Sequence, residues 1–345
     1  MPPPATATIY AAIYVVCVKY VFAAYAQDDE TVFCKTHVAR GTTFEIQDFG
    51  ENYSIERTRE HQAYYFGEVG ASIYGCMLRI CVEDLSDTYL GPDEKARLLE
   101  LFASVGKAPI VLIAHIIISE DLCHDNAFVQ HVNGNIIWPW IKSVIAPGVI
   151  IRLRTLCTDG APSQYKLADQ ILWVSKQGAD IDKYIADAAV ARAAAAQAAA
   201  STTNTTFDTA VDTVSAQPTP KVTHIFRGTA HGKDDSDPEL GVHKNAADRW
   251  QLRAGEGEVA KLFSPHDFYM FASTQMRELQ RSYASRKCVG IFRREFHWIA
   301  NHGASSINRR ISGCNRLGDV GIKKLHFFQS IGRPGFVGIR ERSCI

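Results

Sequence analysis

The stretch that decides the reading is Thr158-Asp159-Gly160-Ala161-Pro162-Ser163-Gln164-Tyr165-Lys166. A largely apolar run, Val149 to Cys157, leads straight into Asp159, and Gly160 and Pro162 then break it. Beyond the break, Leu167, Ile171, Leu172 and Val174 resume at roughly helical spacing. The pattern predicts a strand ending near Asp159, a turn and a helix. Open α/β sheets carry their chemistry at the carboxyl ends of strands, where loops expose side chains above a rigid support. Taken alone, however, Asp-Gly followed by proline is a turn and a helix start, and that is the simpler reading of these nine residues.

A second strand gives Asp159 a companion. Thr42 to Asp48 alternates, with Phe44, Ile46 and Asp48 on one face and Thr43, Glu45 and Gln47 on the other. That pattern predicts a strand with one buried face. The same parity on the later strand groups Val149, Ile151, Leu153, Thr155, Cys157 and Asp159, with Arg152 and Arg154 opposite. Two carboxylates thus close the mainly apolar faces of two separate strands. Each needs a partner, because desolvating an unpaired charge costs several kcal/mol. An arginine, a capped helix and a metal ion all satisfy that need, and parity does not choose among them.

The chain of 345 residues is long enough for one large domain or two ordinary ones, and its 46% apolar and 21% charged residues are those of a globular protein. Lysine plus arginine balances aspartate plus glutamate at 37 each. The distribution is uneven: residues 241–345 hold 18 basic against 8 acidic side chains, leaving 19 against 29 before them. A basic carboxyl third suits a polyanion, and it equally describes a solvated basic face over an aromatic core. The nine cysteines are scattered without a CxxC, which argues for reduced thiols and against a zinc ribbon. A zinc site from Cys288, His297, His302 and Cys314 matches no common spacing, so no structural zinc is expected.

Residues 1–41 form an apolar amino-terminal segment. Ile9 to Ala26 is interrupted by Lys19 and ends in Ala24-Tyr25-Ala26, which resembles a signal-peptidase site. No basic residue lies in Met1 to Thr8, so a buried helix is favoured over secretion or membrane anchoring through residues 9–26. Further strands are expected at Ser72–Val82, Ile110–Ser119 and Val222–Arg227. Helices are expected at Asp93–Ala103 behind Pro92 and at His124–Val144, where Pro139 kinks or ends the run. His124-Asp125 reads first as a helix cap. Asp187 to Pro220, with its alanine run and Thr/Ser tail, reads as an inserted linker that is helical at its start and mobile after Ser201. Asp237 before Pro238 is a strong helix N-cap, opening a helix to about Arg253. Around Phe296-His297-Trp298 and His326-Phe327-Phe328 lie Arg293, Arg294, Arg309, Arg310, Arg316, Lys323 and Lys324, an interleaving suited to phosphates and bases.

Three segments carry a resemblance. Asp48-Phe49-Gly50-Glu51-Asn52-Tyr53-Ser54, Thr158–Lys166 and the segment Gly228–Lys244, with His231-Gly232-Lys233, resemble successive blocks of transposase-like proteins of eukaryotic mobile elements. Lesser echoes are Glu60-His61-Gln62, Ser72-Ile73-Tyr74-Gly75, His124-Asp125 and Arg340 to Cys344. The resemblance covers roughly Asp48 to Cys344, with residues 187–220 as an insertion. Pro238 and Glu239 depart from it, standing where those proteins would carry glycine.

The resemblance implies an α/β fold: a ribonuclease H-like mixed sheet flanked by helices, spanning residues 42–253, with a helical low-complexity insertion and a basic carboxyl-terminal extension at 254–345. It implies an acidic triad of Asp48, Asp159 and Asp237, with Glu239 and Asp235 as rivals for the third place. Such a triad would hold two Mg²⁺ or Mn²⁺ ions about 4 Å apart and cut and join DNA strands. His231, Lys233, Lys166, Arg293, Arg294, Arg309 and Arg310 are the expected contacts to nucleic acid, and DNA the expected partner, with self-association in addition. A nuclear location follows from that activity; no small-molecule cofactor and no membrane are expected. The alternative is a catalytically inactive, transposon-derived nucleic-acid-binding protein.

Overall fold

The computed structural model describes residues 31–55, 69–159, 161, 164, 168–202, 221–226, 235–253, 262–277, 290–303, 306, 307, 309, 327–330 and 337–340. The apolar stretch at 9–26, the segment 60–65, the tail at 203–220, Lys166, His231, Lys233, Arg310, Arg316, Lys323, Lys324, Cys288 and Cys314 lie outside them.

After a short helix α1 (residues 31–36), strand β1 (Thr42–Phe49) is followed by β2 (Tyr53–Ile55), β3 (Val69–Cys81) and β4 (Ile110–Ser119). A helical turn α2 (Asp87–Leu90) and helix α3 (Pro92–Ser104) stand between β3 and β4. Helices α4 (Asn126–His131) and α5 (Trp138–Val144) are joined by a π-helical segment, Val132–Ile137, and lead to β5 (Leu153–Thr158). Then come α6 (Ala168–Thr202), β6 (Val222–Phe226), α7 (Ser236–Arg253), α8 (Pro265–Phe271), β7 (Ile291–Ile299) and the pair β8 (Phe327–Ser330) and β9 (Val337–Arg340).

The main sheet runs β7-β4-β3-β1-β5-β6-β8-β9, with β2 paired to β3. Strands β1, β3 and β4 are successive antiparallel neighbours, while β5 and β6 are added in parallel beside β1. The fold is therefore α/β, a mixed sheet flanked by helices. One apolar cluster under the sheet gathers α3, α4, α5 and α6; a second, on the opposite face, gathers α7 and α8.

Most expected elements are present: the strand at Ile110–Ser119 and the end of α7 at Arg253 agree to the residue. Asp125 caps α4, accepting from the Phe128 amide at 2.9 Å. Pro139 does not end the run: the backbone stays helical from Asn126 to Val144, and the π-helical segment Val132–Ile137 immediately before Trp138-Pro139 is where the chain accommodates the missing N–H. Four differences have physical causes. Strand β5 starts at Leu153, where its pairing with Thr42 begins: ahead of it Val149 closes a turn on the Ala146 carbonyl and the Arg152 amide bonds the Gly41 carbonyl. Helix α6 runs unbroken through residue 202, since the alanine run continues its turns. Helix α7 begins at Ser236, so Asp237 lies inside its first turn rather than capping it.

The fourth difference concerns the polar faces of β1 and β5, read as opposite the buried ones. Thr43, Glu45 and Gln47 are buried as thoroughly as Phe44 and Ile46, and Arg154 is 0% exposed. Both strands are central and covered on both faces, so polar residues facing α4–α6 must satisfy one another. Arg154 donates from Nε and Nη2 to the two oxygens of Glu45 at 2.8 and 2.7 Å. Thr43 Oγ1 and Gln47 Nε2 donate to the same carboxylate. Asn133, turned toward the sheet from the π-helical segment, exchanges two hydrogen bonds with Gln47, both 2.8 Å.

Candidate active site

Asp48 and Asp159 reach one end of the sheet for a reason that can be followed strand by strand. In β1 Asp48 stands opposite Gly75 of β3, and directly opposed residues of an antiparallel pair share a face. A Cβ built on Gly75 would meet Leu240 of α7 at 3.2 Å, as would one on Gly50. Asp48 therefore lies on the α7 face. On its other side, Ile46 pairs with Cys157 of the parallel β5, and both belong to the cluster beneath α7. That register ends at Ile46 and Cys157, and Asp48 and Asp159 each follow two residues later, toward the same end of the two strands.

Both carboxylates are partly buried. Asp48 accepts from the Phe49 amide at 2.8 Å, and Asp159 accepts from the Ala161 amide at 2.9 Å, the turn that its Asp-Gly sequence predicts. Asp237 is exposed, one turn ahead of Leu240, the residue that seats α7 against Gly50 and Gly75. Asp48 and Asp159 thus follow the last paired residues of neighbouring strands, while Asp237 stands on α7 between Asp235, which meets Arg79, and Glu239, which meets Arg294.

The rivals for the third place are differently engaged. Glu239 is buried and held by Arg294, whose Nε lies 2.5 Å from Oε1, and by His243 Nε2 at 3.0 Å. Burial pushes its carboxyl up, but hydrogen bonds from His243 and Arg294 outweigh that and bring it down to about 2. Asp235 is paired with Arg79 and, at 3.2 Å, with Lys35. Of the three candidates, Asp237 is the one that projects into solvent.

The donor chemistry fits hard divalent ions, which prefer carboxylate oxygens. Yet among the described residues no group of three His, Cys, Asp or Glu side chains is arranged to hold a metal ion. Asp48, Asp159 and Asp237, all among the described residues, form no such group.

The expected nucleic-acid contacts that can be described are engaged within the chain. Arg293 binds Glu94 at 2.5 Å and the Tyr89 carbonyl at 2.7 Å. Arg294 holds Glu239, and Arg309 lies 2.5 Å from Asp121 and 2.6 Å from Asp125. These ion pairs tie β7 to α3 and α7, and Arg309 to the residues before α4, so the basic excess of the carboxyl third is partly neutralised in place. His297 of β7 is half-buried: its Nε2 lies 3.0 Å from Nδ1 of the buried His115, with the two rings stacked.

What residue patterns did not reveal is the role of Glu51-Asn52-Tyr53. His124 stacks on Phe49 with centroids 4.2 Å apart, and its Nε2 is 2.8 Å from Asn52 Oδ1. Tyr53 donates to Asp248 Oδ1 at 2.8 Å and accepts from Gln251 Nε2 at 2.9 Å, both on α7. Lys244, on the same helix, lies in the field of Glu51, Asp237 and Asp248; burial lowers its ammonium more than these acids raise it.

Among the described residues no helix is long and apolar enough to cross a membrane. Comparison with protein-family models, with curated proteins and with solved structures finds no match to this chain.

Proposed function

We propose that this chain is a transposase-like, metal-dependent enzyme that cleaves and transfers DNA strands, built on a ribonuclease H-like core. The observation that supports the reading is the β1–β5 register, in which Ile46 pairs with Cys157 and Asp48 and Asp159 each follow two residues later, with α7 and its Asp237 packed on the face to which Ile46 and Cys157 belong. The strand order β4-β3-β1-β5-β6, an antiparallel meander extended by two parallel strands, supports it as the order such a core requires. Asp48, Asp159 and Asp237 would hold Mg²⁺ or Mn²⁺. The ions, when bound, supply charge neutralisation at the phosphodiester and a deprotonated water or 3′-hydroxyl. The chain's own contribution is positional. Asp159 is fixed by the Ala161 amide and Asp48 by the Phe49 amide, so neither carboxylate rotates freely. Lys244, in the field of Glu51, Asp237 and Asp248, would meet a substrate phosphate.

The test is cleavage of duplex DNA by the full chain in Mn²⁺, compared with Asp159→Asn. The rate is expected to fall by more than the ~100-fold that disturbing a metal ligand's outer partner can cost, at a melting temperature changed by only a few degrees. Equal cleavage by both proteins would sink the proposal.

A second reading, a transposon-derived protein that binds nucleic acid without cutting it, draws support from the absence of a three-ligand group among the described residues. DNA binding without cleavage, at equal strength in both proteins, would favour it.

A further inference from the structure

We infer that His124 and Lys244 form a two-point seat for a phosphate of the DNA strand, which binds there together with a proton; this rests on the nucleic-acid substrate proposed above. The seat adjoins the turn Gly50-Glu51-Asn52-Tyr53, which follows directly on β1 and Asp48.

Two elements meet at that turn. On α7, Leu240, Lys244 and Asp248 recur every fourth residue and so form one stripe. Leu240 lies against Gly50, where a Cβ would stand 3.2 Å from its Cδ1, and Asp248 accepts from the Tyr53 hydroxyl at 2.8 Å. Lys244 stands on the stripe between these two contacts. From the other side His124, just ahead of α4, stacks on Phe49, and its Nε2 lies 2.8 Å from Asn52 Oδ1. Lys244 is near enough to disfavour a charge on His124.

Both side chains are half-buried and uncommitted where a ligand would meet them. Lys244 makes no hydrogen bond or ion pair among the described residues, unlike Arg293, Arg294 and Arg309. Asn52 Oδ1 can only accept, so His124 Nε2 carries the ring proton and the neutral imidazole presents a lone pair at Nδ1. Nδ1 has no hydrogen-bond partner among the described residues. A phosphate oxygen is repelled by that lone pair and attracted by an N–H, so His124 must take up a proton to hold one. The groups around it set the balance. Burial and Lys244 hold His124 below its ordinary 6.5, against Asp121 and Asp125 of its own loop, both of them engaged by Arg309. Phe49 and Asn52 bring no charge. A phosphate on Lys244 screens the repulsion and adds an attraction. Glu51, Asp237 and Asp248 make this end acidic, and the proton on His124 supplies the second positive charge that an anion needs here.

The test is the fluorescence anisotropy of a labelled DNA duplex with the full chain in Ca²⁺, between about pH 7.5 and 6. Affinity is expected to rise as pH falls, by about threefold to tenfold per pH unit, the upper figure being uptake of one whole proton. His124→Gln keeps an amide donor for Asn52 and removes the titration, so its affinity should be flat over that range. Lys244→Gln should bind about tenfold more weakly, with a salt slope smaller by about 0.9. In the unaltered chain, NMR should find the His124 imidazole titrating at higher pH with DNA than without. Native affinity in Lys244→Gln, an unchanged pH dependence in His124→Gln, or a His124 titration indifferent to DNA would overturn the inference. The enzyme reading is decided apart from this. DNA bound with these dependences but never cut removes the enzyme and keeps the seat; cutting that needs Asp159 but ignores both substitutions removes the seat and keeps the enzyme.

Discussion

Arg154 and Glu45 show how far a residue's neighbours determine its meaning. Both are 0% exposed, and they meet in a bidentate ion pair at the middle of the sheet. Such a pair contributes little net stability, because desolvation offsets most of its attraction. Removing one partner is different, since it strands the other charge. Arg154→Met should therefore cost about 3–5 kcal/mol, measurable as a lowered midpoint in urea. Replacing Glu45 and Arg154 together by apolar residues of similar volume should recover most of that loss. The Cys76 thiol beside Glu45 is pushed well up by burial and by that carboxylate, so it should resist alkylation until the chain unfolds.

Elements in this fold are set as much by contacts across them as by their own propensities. Helix α6 lies against β8 at Gly178, where a Cβ would stand 2.5 Å from Ser330 Cβ. Ser330 has no freedom to yield, because its Oγ accepts from the Lys221 and Val222 amides and ties β8 to the start of β6. In an isolated helix Gly→Ala would stabilise by roughly 1 kcal/mol. Here overlap wins, and Gly178→Ala should destabilise by about 1–3 kcal/mol, seen in thermal or urea unfolding. At Gly75 the neighbours are the flexible ends of Leu240 and Met77 at 3.2 and 3.3 Å, a tighter seat than it is a barrier.

At the scale of the whole molecule, acid sensitivity follows from histidines the fold keeps neutral. Burial lowers His224 to about 3, and burial with the nearby Arg277 lowers His297 to about 4, from an ordinary 6.5. The unfolded chain takes up these protons near pH 6.5, while the folded chain refuses them until pH 4 or below. Stability is thus fully present above pH 6.5 and lost as pH falls through that window. Glu239 adds a loss of the same sign between its ordinary 4.5 and about 2. The melting temperature should hold steady from pH 8 to 7, decline below about 6.5 and steepen below about 4.5. A flat profile down to pH 4 would contradict the burial of these imidazoles.

Much of this was legible in order along the chain. Alternation marked β1 and a β-branched run marked β4, Pro92 and Asp125 marked helix starts, and parity put Asp48 and Asp159 on matching strand faces, because a strand's two-residue period is a local property. What lay beyond local reading was everything set by which strands are neighbours. Only the tertiary structure made β1 and β5 adjacent, so that the chain reaches Asp48 and Asp159 at the same end of neighbouring strands. It covered both faces of β1 and β5, which turned Glu45 and Arg154 from surface charges into a buried ion pair. It engaged Arg293, Arg294 and Arg309 with carboxylates distant in sequence, where composition had suggested a polyanion surface. The sequence by itself determined the strand and helix periods and the place of Asp159 at a strand's end. Pairing, burial and the seating of α7 were decided by the fold, because desolvation and charge compensation depend on contacts between residues far apart in the chain.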